Sequence, residues 1–182
     1  MTSYTTQNSL LLKNLMSFYD KDNNLDRMLG IINGESPISL RIVDWFATNY
    51  AKQRFTVYTL TSGRRFKVYN DYKLKLRAYS KKRFDPFCRW DRITIPYKEN
   101  KCIQTTIGQL NFFKWALENE VVKYIEENYG DIEKDMNSRN STSKRRSGGS
   151  SATKTRKRRE ELSVSASKSI KHETVEIVVK FD

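Results

Sequence analysis

Apolar residues recur every three to four positions along the first fifty residues. Leu11, Leu12, Leu15, Phe18 and Tyr19 share one side of a helix predicted over 9–19. Leu25, Met28, Leu29 and Ile32 do the same over 24–33, and Gly34 stops that run. Ser36-Pro37 reads as a cap followed by a first-turn proline, so a third helix is predicted over about 38–51. It turns Val43, Phe46, Ala47 and Tyr50 inward, with Ile42 and Trp45 widening the face.

The period then drops to two. Phe55, Val57 and Thr59 alternate with Thr56, Tyr58 and Leu60, and Arg64, Phe66 and Val68 with Arg65, Lys67 and Tyr69. Thr61-Ser62-Gly63 between them is turn chemistry, so a β-hairpin is predicted. Asn70-Asp71 reads as the cap of a helix over 72–80 with Tyr72, Leu76 and Tyr79 inward, and Asp85-Pro86 breaks the chain. Ile93 and Ile95 mark a short strand ending at Pro96, and Cys102–Gln104 another. Thr106-Ile107-Gly108-Gln109 fits a capping box. The helix behind it carries Leu110, Phe113, Trp115, Ala116 and Leu117, then Val121, Tyr124, Ile125 and Ile132 towards residue 136, with a break expected near Asn119 or Gly130. The fold class predicted for residues 1–137 is one helix-dominated α+β domain with a β-hairpin and short strands.

Residues 138–171 are Ser, Thr, Gly, Lys and Arg with a few isolated aliphatics. Such a segment buries too little apolar surface to offset its ordering entropy, so a disordered basic linker is expected. Alternation returns in residues 172–182, where Val175, Ile177, Val179 and Phe181 line one side of a strand-like docking segment. A sheet edge of its own body or of a protein partner would receive it.

Charge changes the picture most. Lys and Arg number 34 against 21 Asp and Glu, a net +13. Residues 52–92 hold thirteen of the cations and three acids, so they are net +10. Nine aromatic residues lie among them, whereas 138–171 has none. Cations hold phosphate and flat rings stack on bases, so the mixture suits nucleic acid, DNA ahead of RNA, bound mainly through its backbone. The candidate contacts are Arg64, Arg65 and Lys67 flanking the hairpin turn. With them go Lys81, Lys82, Arg83, Arg89 and Arg92, interleaved with the rings of Tyr79–Trp90. In the tail they are Lys144, Arg145, Arg146, Arg156, Lys157, Arg158 and Arg159, which equally fit a nuclear-import signal. The bland alternative for each is a solvated charged surface, and most rings of a domain this size are needed inside.

Catalytic chemistry has little to stand on. The single histidine, His172, lies at the end of the linker, away from any Ser or Cys partner. One His and two Cys 14 apart do not make a zinc site, and there is no glycine-rich phosphate loop. Asp85 or Asp91 with Glu99-Asn100-Lys101 loosely matches the magnesium ligands of nucleases, but acid-x-lysine strings arise by chance in so charged a chain. No cofactor and no metal are expected. Neither a membrane span nor a secretory signal is legible, so an intracellular protein with reduced Cys88 and Cys102 is expected.

Three blocks carry a resemblance: SLRIVDWFATNYAK (39–52), AYSKKRFDPFCRWDRI (78–93) and TTIGQLNFFKWALENEVVKYIEENY (105–129). The chain resembles a group of uncharacterised proteins of nucleocytoplasmic large DNA viruses over roughly residues 36–137, and in the terminal strand. The resemblance implies a viral setting, in the virion, the viral factory or the host nucleus. It brings no activity or functional residue. The leading expectation is a non-enzymatic nucleic-acid-binding protein of genome packaging or of a replication or transcription complex. A structural or adaptor protein with a basic localisation tail is the alternative, and a metal-dependent nuclease a weaker one.

Overall fold

The structure, a computed structural model, describes residues 6–98, 101–146 and 173–174, with side chains as far as Arg139. Helix α1 (Gln7–Tyr19) begins where the Thr6 hydroxyl accepts from the Ser9 amide. The buried Tyr19 at its end donates to the Leu110 carbonyl at 2.6 Å and ties α1 to α6. Helix α2 (Asn24–Ile32) ends in a turn that needs Gly34 at φ 76°, with the Glu35 and Ser36 amides both on the Gly30 carbonyl.

The third helix starts later than its proline suggests. The Ser36 hydroxyl is taken by the Ile38 amide, and Ser39 caps α3 (Leu40–Trp45) by accepting from Ile42. The chain then widens into a π-helix (Phe46–Tyr50) and returns as α4 (Ala51–Gln53). Val43, Phe46, Ala47 and Tyr50 are all buried, as the spacing predicts.

Strands β1 (Val57–Thr59) and β2 (Arg65–Lys67) form the expected hairpin, pairing Val57 with Lys67, Tyr58 with Phe66 and Thr59 with Arg65. Its turn puts Gly63 at φ 80°. Thr56, Leu60, Phe66 and Val68 are buried, so the alternate row, Val57, Thr59, Arg65 and Lys67, faces out. Helix α5 (Val68–Arg83) grows straight from β2, four residues before its predicted start, and is interrupted at Ser80 with φ 60°. Asn70-Asp71 therefore lies inside its first turn and is no cap. Asp71 instead accepts from the Trp115 indole at 2.7 Å.

Strands β3 (Arg92–Tyr97) and β4 (Lys101–Thr106) pair antiparallel, Ile95 against Ile103, and Pro96 sits on the edge strand, where its missing N–H is tolerated. Glu173–Thr174 form β5 on the other edge of β4, opposite Cys102 and Lys101. Helix α6 (Ile107–Glu118) is capped by Thr106, which accepts from the Gln109 amide at 3.0 Å. The second half of the capping box is absent. The Gln109 side chain accepts from the Thr105 hydroxyl and donates to the Pro86 carbonyl, so it pins the irregular segment 84–91. Gly108 permits that approach, because a Cβ there would stand 3.0 Å from the Lys82 carbonyl oxygen.

The long C-terminal helix is three pieces. Breaks at Asn119-Glu120 and Asn128 separate α6, α7 (Val121–Glu127) and α8 (Tyr129–Arg146). The first break matches the expectation at Asn119, whereas Gly130 is inside α8. Helix α8 also carries the chain through Arg146, nine residues into the segment expected to be disordered. Its Arg139 pairs with Asp135 one turn back. The whole is a helix-dominated α+β fold with two small antiparallel hairpins around one core of Phe46, Phe84, Phe112, Phe113, Ile103 and Ile125. The expected linker beyond Arg146 and the strand-like row from Val175 lie outside the described residues. Cys88 and Cys102 are not joined in a disulfide.

Candidate nucleic-acid interface

The hairpin is clamped at its tip by the turn between α6 and α7. Tyr58 donates to the Asn119 carbonyl at 2.7 Å, Arg64 to the Asn119 side-chain oxygen at 2.9 Å, and the Thr61 amide to the Glu120 carboxylate at 2.6 Å. Burial pushes the Tyr58 hydroxyl above the ordinary tyrosine range, so it stays a donor. The Thr61 hydrogen bonds hold the Glu120 carboxyl below its ordinary range. Arg64, though exposed, therefore has partners within the protein, with its guanidinium also over the Phe66 ring at 5.8 Å. Of the three cations expected at the turn, Arg65 and Lys67 project outward, and Arg64 also fastens the tip.

The base of the same hairpin meets α4 and α5. The Lys52 ammonium from α4 and the Lys73 ammonium from α5 both lie over the Tyr69 ring, at 5.7 and 5.8 Å. Arg77 follows Lys73 by one turn on the exposed side of α5, because Tyr69, Tyr72, Leu76 and Tyr79 occupy the packed side. Burial pushes Tyr72 up to about 12. Lys52, Arg65, Lys67, Lys73, Arg77 and Lys81 are exposed and make no ion pair with any described residue. Lys52, Lys73 and Arg77 were absent from the expected contact set. Their signal was the helical spacing of 73 and 77 opposite the apolar stripe.

The Tyr79–Arg92 cluster divides differently. Phe84 and Phe87 are buried and Tyr79 packs against Phe84, so these rings belong to the core; only Trp90, 42% exposed, offers its ring to solvent. Arg89 makes two hydrogen bonds, of 2.8 and 2.7 Å, to the buried Asp85 carboxylate and lies over Phe87 at 5.1 Å. Those bonds raise its pKa above the ordinary arginine value. Arg89, still exposed on one side, is thus also half of an ion pair with the buried Asp85, a role its i,i+4 spacing could have signalled. Arg83 is half-buried and donates to Gln7, and Lys82 pairs with Asp91 at 2.8 Å on the open surface. Arg92 is exposed at the start of β3.

Asp85 is fully engaged with Arg89, and Glu99 and Asn100 lie outside the described residues. Among the described residues no group of three His, Cys, Asp or Glu could hold a metal ion. A polar cleft between α5 and α6, lined by Lys75, Lys114 and Asn119, measures about 60 Å³, less than an ordinary small-molecule site. No helix among the described residues is long and apolar enough to cross a membrane. Lys144, Arg145 and Arg146 fall in the last turn of α8, their side chains undescribed, and Arg156, Lys157, Arg158 and Arg159 lie outside the described residues. So do Val175, Ile177, Val179 and Phe181.

A family model described as "Family of unknown function (DUF7197)" matches residues 2–182. The chain is 47% identical over 117 residues to "Uncharacterized protein L507" of Acanthamoeba polyphaga mimivirus, covering 60% of this chain and 45% of that protein. The chain therefore spans under half the length of this relative. No solved structure matches. The resemblance to uncharacterised proteins of large DNA viruses is borne out, and with it a viral origin.

Proposed function

Since the chain belongs to this family of unknown function, its chemistry has to be read from its own surface, and we propose that it is a non-enzymatic nucleic-acid-binding protein. It holds DNA mainly through the phosphate backbone, along the outward row of the β1–β2 hairpin and the exposed side of α5. The observation that carries this reading is the set Lys52, Arg65, Lys67, Lys73 and Arg77, exposed on α4, β2 and α5, with Lys81 beyond the Ser80 kink, none of which makes an ion pair with a described residue. Unneutralised cations on adjoining elements attract a polyanion and release its counterions on binding. The basic segment from Lys144 to Arg159 adds a second arm. Genome packaging, or a replication or transcription complex in the factory, nucleus or virion, is the setting this chemistry suits.

Titration of full-length protein with duplex DNA across a salt series tests the reading. Affinity should fall log-linearly with salt, at a slope of about 0.9 per neutralised phosphate. A flat salt response, or no binding at low salt, overturns it. A second reading, an adaptor that docks proteins, has one observation in its favour: Leu74 is 62% exposed between Lys73 and Lys75 on α5. It gains if the protein binds no nucleic acid.

A further inference from the structure

We propose that Phe55 is a stacking finger for an unpaired nucleobase, so that this surface takes single-stranded nucleic acid, DNA or RNA, in preference to the intact duplex. The inference deepens the nucleic-acid reading and rests on it.

Phe55 stands where the helix ending at Gln53 turns into β1. The Thr56 amide reaches back to the Ala51 carbonyl at 3.1 Å and the Arg54 amide to the Tyr50 carbonyl at 2.9 Å. This is a helix stop whose turning residue adopts left-handed backbone, and Phe55 has φ 49°. Glycine is the usual occupant, since a Cβ is unfavourable there. The ring does not repay that strain by packing, because Phe55 is 85% exposed. Beside it the Thr56 hydroxyl is buried with no hydrogen-bond partner among the described residues. Stability alone would favour a different residue at this turn.

The surroundings say what the ring is for. Arg54 adjoins it in sequence, with its guanidinium over the Tyr50 ring at 5.8 Å, and Lys52 lies three residues back on the same turn. Lys67 faces Val57 across the hairpin, and Lys73 shares the Tyr69 ring with Lys52. An exposed flat ring on a stretch whose own turn and adjoining strand and helix carry cations fits a base flanked by phosphates. It suits an apolar protein groove poorly, since Val57 is the one exposed aliphatic beside it and the cations would need acids to meet them. The backbone beside Phe55 is fixed, because the Val68 amide bonds the Thr56 carbonyl and extends the hairpin to its foot.

The test measures binding of the full-length protein to four ligands: a short oligothymidylate, an oligouridylate, an abasic oligomer of equal length, and duplex DNA. Wild type should bind the two base-bearing strands more tightly than the abasic one and than the duplex, and tighter duplex binding overturns the preference. Phe55→Gly should lose about 5- to 150-fold on those strands while its abasic and duplex affinities hold, and Phe55→Trp should restore them. Glycine suits the backbone, so the variant should melt at a higher temperature than wild type, which confirms that it is folded. Unchanged strand affinity in Phe55→Gly overturns the finger. Equal wild-type affinity for all four ligands also overturns it, leaves the phosphate-binding reading standing, and assigns the ring to a protein contact. No wild-type binding to any of them removes both.

Discussion

Replacing Arg89 by glutamine separates a structural cation from a binding one. The Asp85 carboxylate is 3% exposed and accepts two hydrogen bonds from Arg89, whose own side chain is 36% exposed. Removing one partner of a fully buried pair costs about 3–5 kcal/mol, chiefly because the other charge is left unpaired. Here water reaches the arginine side, so the cost should fall at or below the bottom of that range, about 2–3 kcal/mol. For a folded body of this length that lowers the melting temperature by about 6–12 °C. Thermal melts and urea titrations of Arg89→Gln and of Arg65→Gln provide the comparison. Arg65→Gln, on the outward row, should melt with wild type. The reasoning is refuted if Arg89→Gln melts with wild type and loses nucleic-acid affinity, which would return Arg89 to the binding surface.

Other expectations concern the clamp, the helix contact and the tail. The depressed Glu120 carboxyl makes its hold on Thr61 fully present above the ordinary glutamate pKa of about 4.3 and lost as pH falls through the lower folded value. Amide exchange at Thr61–Gly63 should therefore speed up, beyond its intrinsic pH dependence, only below about pH 4; a loss of protection between pH 5 and 7 would contradict the clamp. Gly108→Ala should cost about 1–2 kcal/mol by urea titration even after its helix-propensity gain of about 1, since the added carbon meets backbone at 3.0 Å. An unchanged midpoint would mean that α5 and α6 are not so closely apposed. Deleting residues 147–171, beyond the last turn of α8, should weaken duplex binding and reduce the salt slope by about 0.9 per lost contact. Equal affinity and slope would remove the tail from the interface.

Periodicity made much of the fold legible. The inward face of residues 43–50 and the parity of the hairpin follow from spacing alone, because one buried side fixes which residues face in. Ends were less legible, since capping side chains had competing partners. Ser36 serves a turn at Ile38, Asp71 takes the Trp115 indole, and Gln109 reaches Pro86 instead of its own helix start. The extension of α8 was hidden by composition, although Asp135 and Arg139 stand four apart. For the interface, sequence located the basic stretch but could not rank its members. Arg64 and Arg89 have tertiary duties that charge counting does not reveal, while Lys52 and Lys73 meet only because α4 packs on α5. Phe55 was unreadable for a related reason: alternation placed it in a strand row, and the positive φ that sets it apart belongs to the helix stop before that strand.

The proposed binding is directional, to the hairpin and α5 surface and not to net charge at large. Its most direct test compares two triple variants with the same change in charge. One is Arg65→Glu, Lys67→Glu and Lys73→Glu; the other is Lys13→Glu, Lys21→Glu and Lys134→Glu, exposed cations of α1, the loop after it and α8. Duplex affinity at fixed salt should fall far more in the first, with a reduced salt slope, while the second stays near wild type. Equal losses in the two would contradict the account, and so would full affinity in the first.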